Sequence, residues 1–459
     1  MRLPCTKRES VHGGKKVMRH PPDPADFPNR HTSTMAKPDD DWSFPPEAIT
    51  DTVVIAQAQI SPSSDRTPPI VTPLLPLCQG RKVHSSITYT LIEKLASGGM
   101  GEVYKAILET RMGTREPSVI KTIKRGQGPL TRLMEETLER EIAILAELNG
   151  HPNIVGFRGA DTMENEDGSR EIFFVMEHVD GFDLLTFMTM HNMTINHLLA
   201  DKALKIPYEW VGFILFRIAN ALDYAHNLEF SDGKKGIIHL DISPSNILIS
   251  QKLGLIKLSD FGLALPTRSI ANTTGVIVGK PHYIAPELVR RRPFDARADL
   301  YSLGVVMYEL LTGLCPNRVP GLNIDDTKMM EQQLLDFHSR PLVPPHKVIR
   351  GLHEGLSEIV MSMMEENPED RFPSAKIVRE VTGKTIYSQG YGPTDHSFSR
   401  YVTELQIFNP AMPPSQTPPD PQTQAVFKHI ESLSQDKEQL ILFRDARRTL
   451  KQGHNPCRL

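Results

Sequence analysis

From about Tyr89 onward, apolar and polar positions begin to alternate. Tyr89 and Leu91, then Val103, Tyr104, Ala106 and Leu108, then Val119, Ile120 and Ile123 mark successive strands of a small antiparallel sheet. Residues 133–148 change period: Leu138, Ile142, Leu145 and Leu148 recur at helical spacing, and Asn149-Gly150 with Pro152 closes the helix. A further strand is predicted over 173–176, after which the pattern is mostly helical to about Val381. Strands first and helices later predict an α+β smaller unit joined to a mainly helical larger one.

The flanks have a different texture. Residues 1–84 are dense in Pro, Ser, Thr and Asp, as in Pro21-Pro22-Asp23-Pro24 and Thr67-Pro68-Pro69, without sustained period. Such a segment buries too little apolar area to offset its ordering entropy, so a flexible arm is expected, with one short strand or helix as a candidate within 51–60. Beyond 384 the pattern becomes irregular, and 410–421 reads as a Pro-rich spacer. Val426, Phe427, Ile430, Leu433, Leu440, Ile441 and Phe443 then predict one amphipathic helix, a docking or packing element.

Composition narrows the partners. A formal net charge of -3 over 459 residues gives no global electrostatic case for nucleic acid or an anionic membrane. The four cysteines, Cys5, Cys78, Cys315 and Cys457, lie far apart and form no C-x-x-C pair, which argues against a zinc site or a disulfide framework. No apolar run approaches the roughly 18 to 20 residues of a membrane span, so a cytoplasmic protein in a reducing compartment is expected.

Candidate chemistry begins with Ser97-Gly98-Gly99-Met100-Gly101-Glu102-Val103, set between two predicted strands. Residues without a Cβ let backbone N–H groups approach phosphate oxygens, although an ordinary hairpin turn has the same composition. A dinucleotide site would need a helix after the glycines, and Val103-Tyr104-Lys105-Ala106 reads as a strand. Lys121 ends the apolar run Val119-Ile120 on a strand that would direct it back under this turn. Glu141 and Glu139 compete to hold it, and Glu141 is preferred because it shares the helix face of Leu138 and Leu145. The strongest signal is Ile237-Ile238-His239-Leu240-Asp241-Ile242-Ser243-Pro244-Ser245-Asn246, followed by Ser259-Asp260-Phe261-Gly262. Two carboxylates and a carboxamide sit on short loops between apolar segments. Phosphoryl transfer asks for that set: one carboxylate to take a hydroxyl proton, and oxygen ligands for magnesium.

On these motifs, residues 89–382 resemble the protein kinase family. The resemblance implies a bilobal domain over 85–383, with a β-rich N-lobe (85–177) and a helical C-lobe (178–383), using ATP and Mg2+ on a protein substrate. It implies Asp241 as base, Asn246 and Asp260 as metal ligands, and Lys121 with Glu141 at the phosphates. The nucleotide-binding set would be Leu95, Gly98, Gly99, Gly101, Val103, Val119, Lys121, Met176, Glu177, Val179, Asp183 and Leu248. Met176 would be the gatekeeper of the segment facing adenine, and Asp183 either a ribose contact or a helix N-cap. Gly279-Lys280-Pro281-His282-Tyr283-Ile284-Ala285-Pro286-Glu287 resembles the end of an activation segment, Glu287 pairing with Arg371.

Three positions depart from the family's pattern. Ala96 stands where a first glycine is usual. Leu240 replaces the arginine that reads a phosphate on the activation segment, which implies activity independent of phosphorylation at Thr267, Ser269, Thr273 or Thr274. Ser243 stands where a lysine usually touches the transferred phosphate, while Lys280 occupies the place of a threonine; the two types look exchanged, making Lys280 a candidate catalytic cation. The Ser-Pro-Ser-Asn loop and the insert at 229–236 resemble bacterial serine/threonine kinases. A pseudokinase acting as a nucleotide-binding regulatory module is the alternative, and a small-molecule phosphotransferase a weaker one. The oligomeric state is left open.

Overall fold

The computed structural model describes residues 53–55, 82–84 and 87–407, apart from 98–100, 123–128, 165–169, 199–204, 231–235, 267–276, 324–325, 350 and 391. All described elements fall within the compact unit Thr50–Leu459. In chain order the first part comprises β1 (Val53–Ile55), β2 (Lys82–His84), β3 (Ile87–Ser97), β4 (Glu102–Thr110), β5 (Arg115–Thr122), α1 (Pro129–Leu148), β6 (Phe157–Glu164) and β7 (Arg170–Glu177). The second comprises β8 (Gly181–Asp183), α2 (Leu184–Leu198), α3 (Tyr208–Asn227), β9 (Ile237–Ile238), β10 (Ile247–Ser250), β11 (Ile256–Leu258), β12 (Leu265–Pro266) and β13 (Ile277–Gly279). It continues with α4 (Pro286–Val289), α5 (Arg297–Thr312), α6 (Thr327–His338), α7 (Pro345–Val348), α8 (Glu354–Met363), α9 (Ala375–Ile386) and α10 (Asp395–Ile407).

The N-terminal sheet has the order β2-β3-β4-β5-β7-β6, every pair antiparallel. Alternation dictates its two faces. Along β5, Ser118, Ile120 and Thr122 are buried while Val119 and Lys121 point to the other side. Ile120 joins Tyr89, Leu91, Tyr104, Ala106 and Phe173 in one small core. A larger core fills the helical lobe, built around α3, half of whose residues are buried, and α5, which is buried almost throughout.

Described elements run past two of the domain bounds expected from the sequence. The sheet begins before residue 85, because Lys82–His84 already pairs with Thr88–Thr90. The helical lobe extends past 383, because α10 buries Phe398, Val402 and Leu405 in the large core. Gly254 is shaped for this contact: at φ +66, a Cβ there would lie 1.8 Å from the Asp395 carbonyl oxygen. Residues 51–60, the one candidate element of the N-terminal arm, include β1, which pairs with β13. The amphipathic helix expected over 426–443 lies outside the described residues.

His191, buried, and His338, partly buried, are expected to make this lobe acid-sensitive. Burial pushes His191 and His338 down to about 4, and for His338 the Arg290 and Arg371 charges add to it. Both favour the neutral form in the fold, whereas the unfolded chain takes up protons near the ordinary histidine value of about 6.5. Their contribution is therefore complete above that value and is lost as pH falls toward about 4. Chemical denaturation at pH 7.5 and pH 5 should show stability lower by about 4 kcal/mol at the acid pH from this pair, at 1.36 kcal/mol per unit. His191→Gln/His338→Gln should flatten that dependence.

Candidate active site

Directly opposed residues share a face of a sheet. Val103 pairs with Lys121 and Val119 with Met176, so these four side chains line one face of the N-terminal sheet. From α1, the buried carboxylate of Glu141 receives Lys121 Nζ at 2.8 and 3.0 Å. Glu139, its competitor, is exposed. Lys121 Nζ also lies 3.0 Å from Asp260 Oδ1, which ties the sheet to the loop after β11. Glu102 accepts from Lys94 of β3 at 2.5 Å and from Tyr104 Oη of its own strand. Gly98 and Gly99 lie outside the described residues; Gly101 is buried and Leu95 half-exposed.

The loop between β9 and β10 is held from below by α5. Buried Asp299 accepts from the backbone N–H groups of His239 and Leu240, each at 2.8 Å, and from His226 Nε2 at 2.8 Å. Burial works against its charge, yet the His226 hydrogen bond and neighbouring histidines hold its carboxyl below the usual range. His239 Nδ1 accepts from the Asp241 N–H at 3.2 Å, so Nε2 carries the proton and donates to the Ser259 carbonyl at 3.0 Å. Leu240 and Asp260 adopt left-handed φ values of 65° and 60°, conformations that non-glycine residues keep only where surrounding contacts enforce them. The Leu240 side chain is buried in the apolar core, where no charged residue would serve.

Asp241 and Asn246 form one constellation. Asn246 Nδ2 donates to the Asp241 carbonyl and to Asp241 Oδ2, both at 2.8 Å, which commits its Oδ1 to acceptor duty. Asp241 Oδ1 accepts the Lys280 N–H at 3.1 Å. Burial pushes the Asp241 carboxyl above its ordinary value, with Asp260 adding and Lys280 opposing. Asp260 is held down at about 2, chiefly by Lys121, and its side chain is 47% exposed. Lys121 itself is raised: burial disfavours its charge, but Asp260 and Glu141 more than reverse this.

An Asn oxygen and an ionised carboxylate are hard donors suited to magnesium, and two such ligands leave room for phosphate oxygens in its shell. Among the described residues no group of three or more His, Cys, Asp or Glu could hold a metal ion.

The remaining expected residues are distributed around this centre. Met176 and Glu177 end β7, and Val179 lies between β7 and β8. The Glu177 carboxylate has a structural task, accepting from the Gly156 N–H at 2.7 Å and from Lys257 at 2.6 Å. Leu248 pairs with Asp183 across β10 and β8. Asp183 Oδ1 accepts the Thr186 N–H at 2.7 Å, so it caps α2, the plainer of its two readings. Glu287 and Arg371 form a buried bidentate pair at 2.7 Å through both nitrogens. Sequence reasoning missed His226 and Ser245, the latter bonded to Lys280. A lone helix-end histidine and a loop serine carry no pattern that would have marked them.

The protein kinase domain family model matches residues 89–381. A probable serine/threonine-protein kinase of Clostridium perfringens is 29% identical over 290 residues, covering 63% of this chain and 37% of its own. The tyrosine-protein kinase MasK of Myxococcus xanthus is 32% identical, covering 63% and 41%. The probable serine/threonine-protein kinase PknB of Bifidobacterium longum is 30% identical, covering 72% and 45%. This chain thus spans less than half the length of these relatives. No described helix is long and apolar enough to cross a membrane. With the family model matched over more than half its length, the chain belongs to the protein kinase family.

Proposed function

We propose that the chain transfers the γ-phosphoryl group of ATP to serine or threonine hydroxyls of proteins, itself included. The observation that carries this is the linkage of Lys121 to both Glu141 and Asp260, beside a buried Asp241 locked to Asn246. Phosphoryl transfer in this family needs the lysine–glutamate pair and the metal-binding aspartate in place together. Lys121 binds phosphate oxygens, and the apolar side chains of Leu95, Val103, Val119, Met176 and Leu248 enclose the base, with the backbone of Glu177 and Val179 at its edge. Asp183 has its second carboxylate oxygen for the ribose. Asp241 orients the acceptor hydroxyl and takes its proton as the oxygen bonds to phosphorus and the bond to ADP breaks. Magnesium held by Asn246 Oδ1 and Asp260 would neutralise phosphate charge and fix the group's orientation.

Serine/threonine preference rests on the Ser-Pro-Ser-Asn loop and on two relatives named for that specificity, against one named for tyrosine. A cytoplasmic setting rests on the scattered cysteines. Incubation with γ-labelled ATP and magnesium, followed by phosphoamino-acid analysis, tests the reading. Label on serine or threonine is expected. Label on tyrosine alone would reverse the specificity, and ATP binding without transfer would leave a regulatory module.

A further inference from the structure

Lys280 is only 7% exposed, although an isolated buried ammonium is costly. Its Nζ donates to Ser243 Oγ at 2.8 Å, Ser245 Oγ at 2.8 Å and Asn246 Oδ1 at 3.2 Å. The nearest carboxylate oxygen, Asp241 Oδ2, is farther, at 3.5 Å. Its hydrogen bonds go to neutral oxygens, and it stands within ion-pair distance of the proposed base while touching a proposed metal ligand.

We infer that Lys280 is a catalytic residue: its ammonium contacts the transferred phosphoryl group, delivered by the activation segment instead of the loop that carries Asp241. This rests on the phosphotransfer reading above. No bond forms or breaks at Lys280; its Nζ donates hydrogen bonds to phosphoryl oxygens while phosphorus passes from ADP to the acceptor hydroxyl, whose proton goes to Asp241. Such a donor acts where negative charge is being redistributed.

The placement is conditional on the segment's seat. Gly279 has φ +106, and a Cβ there would lie 2.5 Å from the Leu240 carbonyl oxygen and 3.7 Å from Asp241 Oδ1. The backbone of the segment therefore lies against the backbone of the Asp241 loop, where only glycine fits. The next residue then spends its N–H on Asp241 Oδ1 and its ammonium on the far side of the same constellation. One short stretch of backbone, Gly279-Lys280, thus carries both the hydrogen bond that orients Asp241 and the cation.

The experiment compares wild type, Lys280→Thr and Ser243→Lys/Lys280→Thr, the last returning an ammonium from the neighbouring position. For each, kcat and KM for ATP are measured, with ADP affinity and melting temperature as controls of the fold. Lys280→Thr should lower kcat about 100-fold, the scale of losing one donor to developing charge, with KM for ATP nearly unchanged. The double variant should recover at least about tenfold of that loss. Turnover unaffected by Lys280→Thr would overturn the inference, as would equal loss in single and double variants, which would make Lys280 a purely structural cation. An inactive wild type would sink the phosphotransfer reading and this inference with it; an active wild type with an unaffected Lys280→Thr would sink this inference alone.

Discussion

Asp241→Asn should lower kcat by about 10²- to 10⁴-fold, the range for loss of a general base, equivalent to about 3–5 kcal/mol of barrier. Two effects contribute. The amide cannot accept the acceptor hydroxyl's proton. It also places an NH2 either against Asn246 Nδ2, which donates at 2.8 Å, or against the Lys280 N–H, which donates at 3.1 Å, so one donor loses its acceptor. Asp241→Ala separates them, because it removes the base without adding a donor. Similar kcat values for the two variants would assign the loss to proton transfer. KM for ATP should stay close to wild type, since the phosphates are assigned to Lys121 and the metal ligands. Turnover retained in both variants would remove Asp241 from its assigned role.

Phe398→Ala should lower the free energy of unfolding by roughly 3–5 kcal/mol, the cost of emptying a fully buried aromatic site. Phe398 is wholly buried, with ring centroids 5.3 Å from Trp210, 5.7 Å from Phe213 and 5.8 Å from Phe187. Polar anchors fix the same helix. Arg217 reaches Asp395 at 2.7 Å, Ser399 Oγ donates to the Gln251 carbonyl at 2.6 Å, and Thr194 Oγ1 to the Leu405 carbonyl at 3.1 Å. Denaturant titration of wild type and variant measures the loss, while kcat of the folded protein should stay near wild type. A change within about 0.5 kcal/mol, as for an ordinary surface site, would show that α10 does not belong to the lobe it packs on.

The same helix shows where sequence reasoning stopped. Residues 395–407 offer only Phe398, Val402 and Leu405 as a clear apolar stripe among polar neighbours. Their partners, Phe187, Trp210 and Phe213, lie almost two hundred positions earlier, so no local period announces the contact. Strand β2 was missed for a similar reason: three residues owe their state to pairing with β3. The placement of the loop residues was far easier to read. Asp241, Asn246 and Asp260 stand on short loops between apolar runs, where the backbone leaves few alternatives for their placement. Glu141 was separable from Glu139 because helical period alone turns it toward Lys121. Asp183 was not resolvable, since capping and ligand binding call for the same short acidic side chain at the same place.

Lys121, Asp241, Asn246 and Asp260 are proposed to serve one nucleotide and its metal. A crystal structure with magnesium and a non-hydrolysable ATP analogue tests it most directly. A cation is expected at about 2.1 Å from Asn246 Oδ1 and an Asp260 oxygen, with Lys121 on the phosphates and the γ-phosphoryl group facing Asp241. A nucleotide bound elsewhere, or a metal that leaves Asn246 and Asp260 untouched, would contradict it.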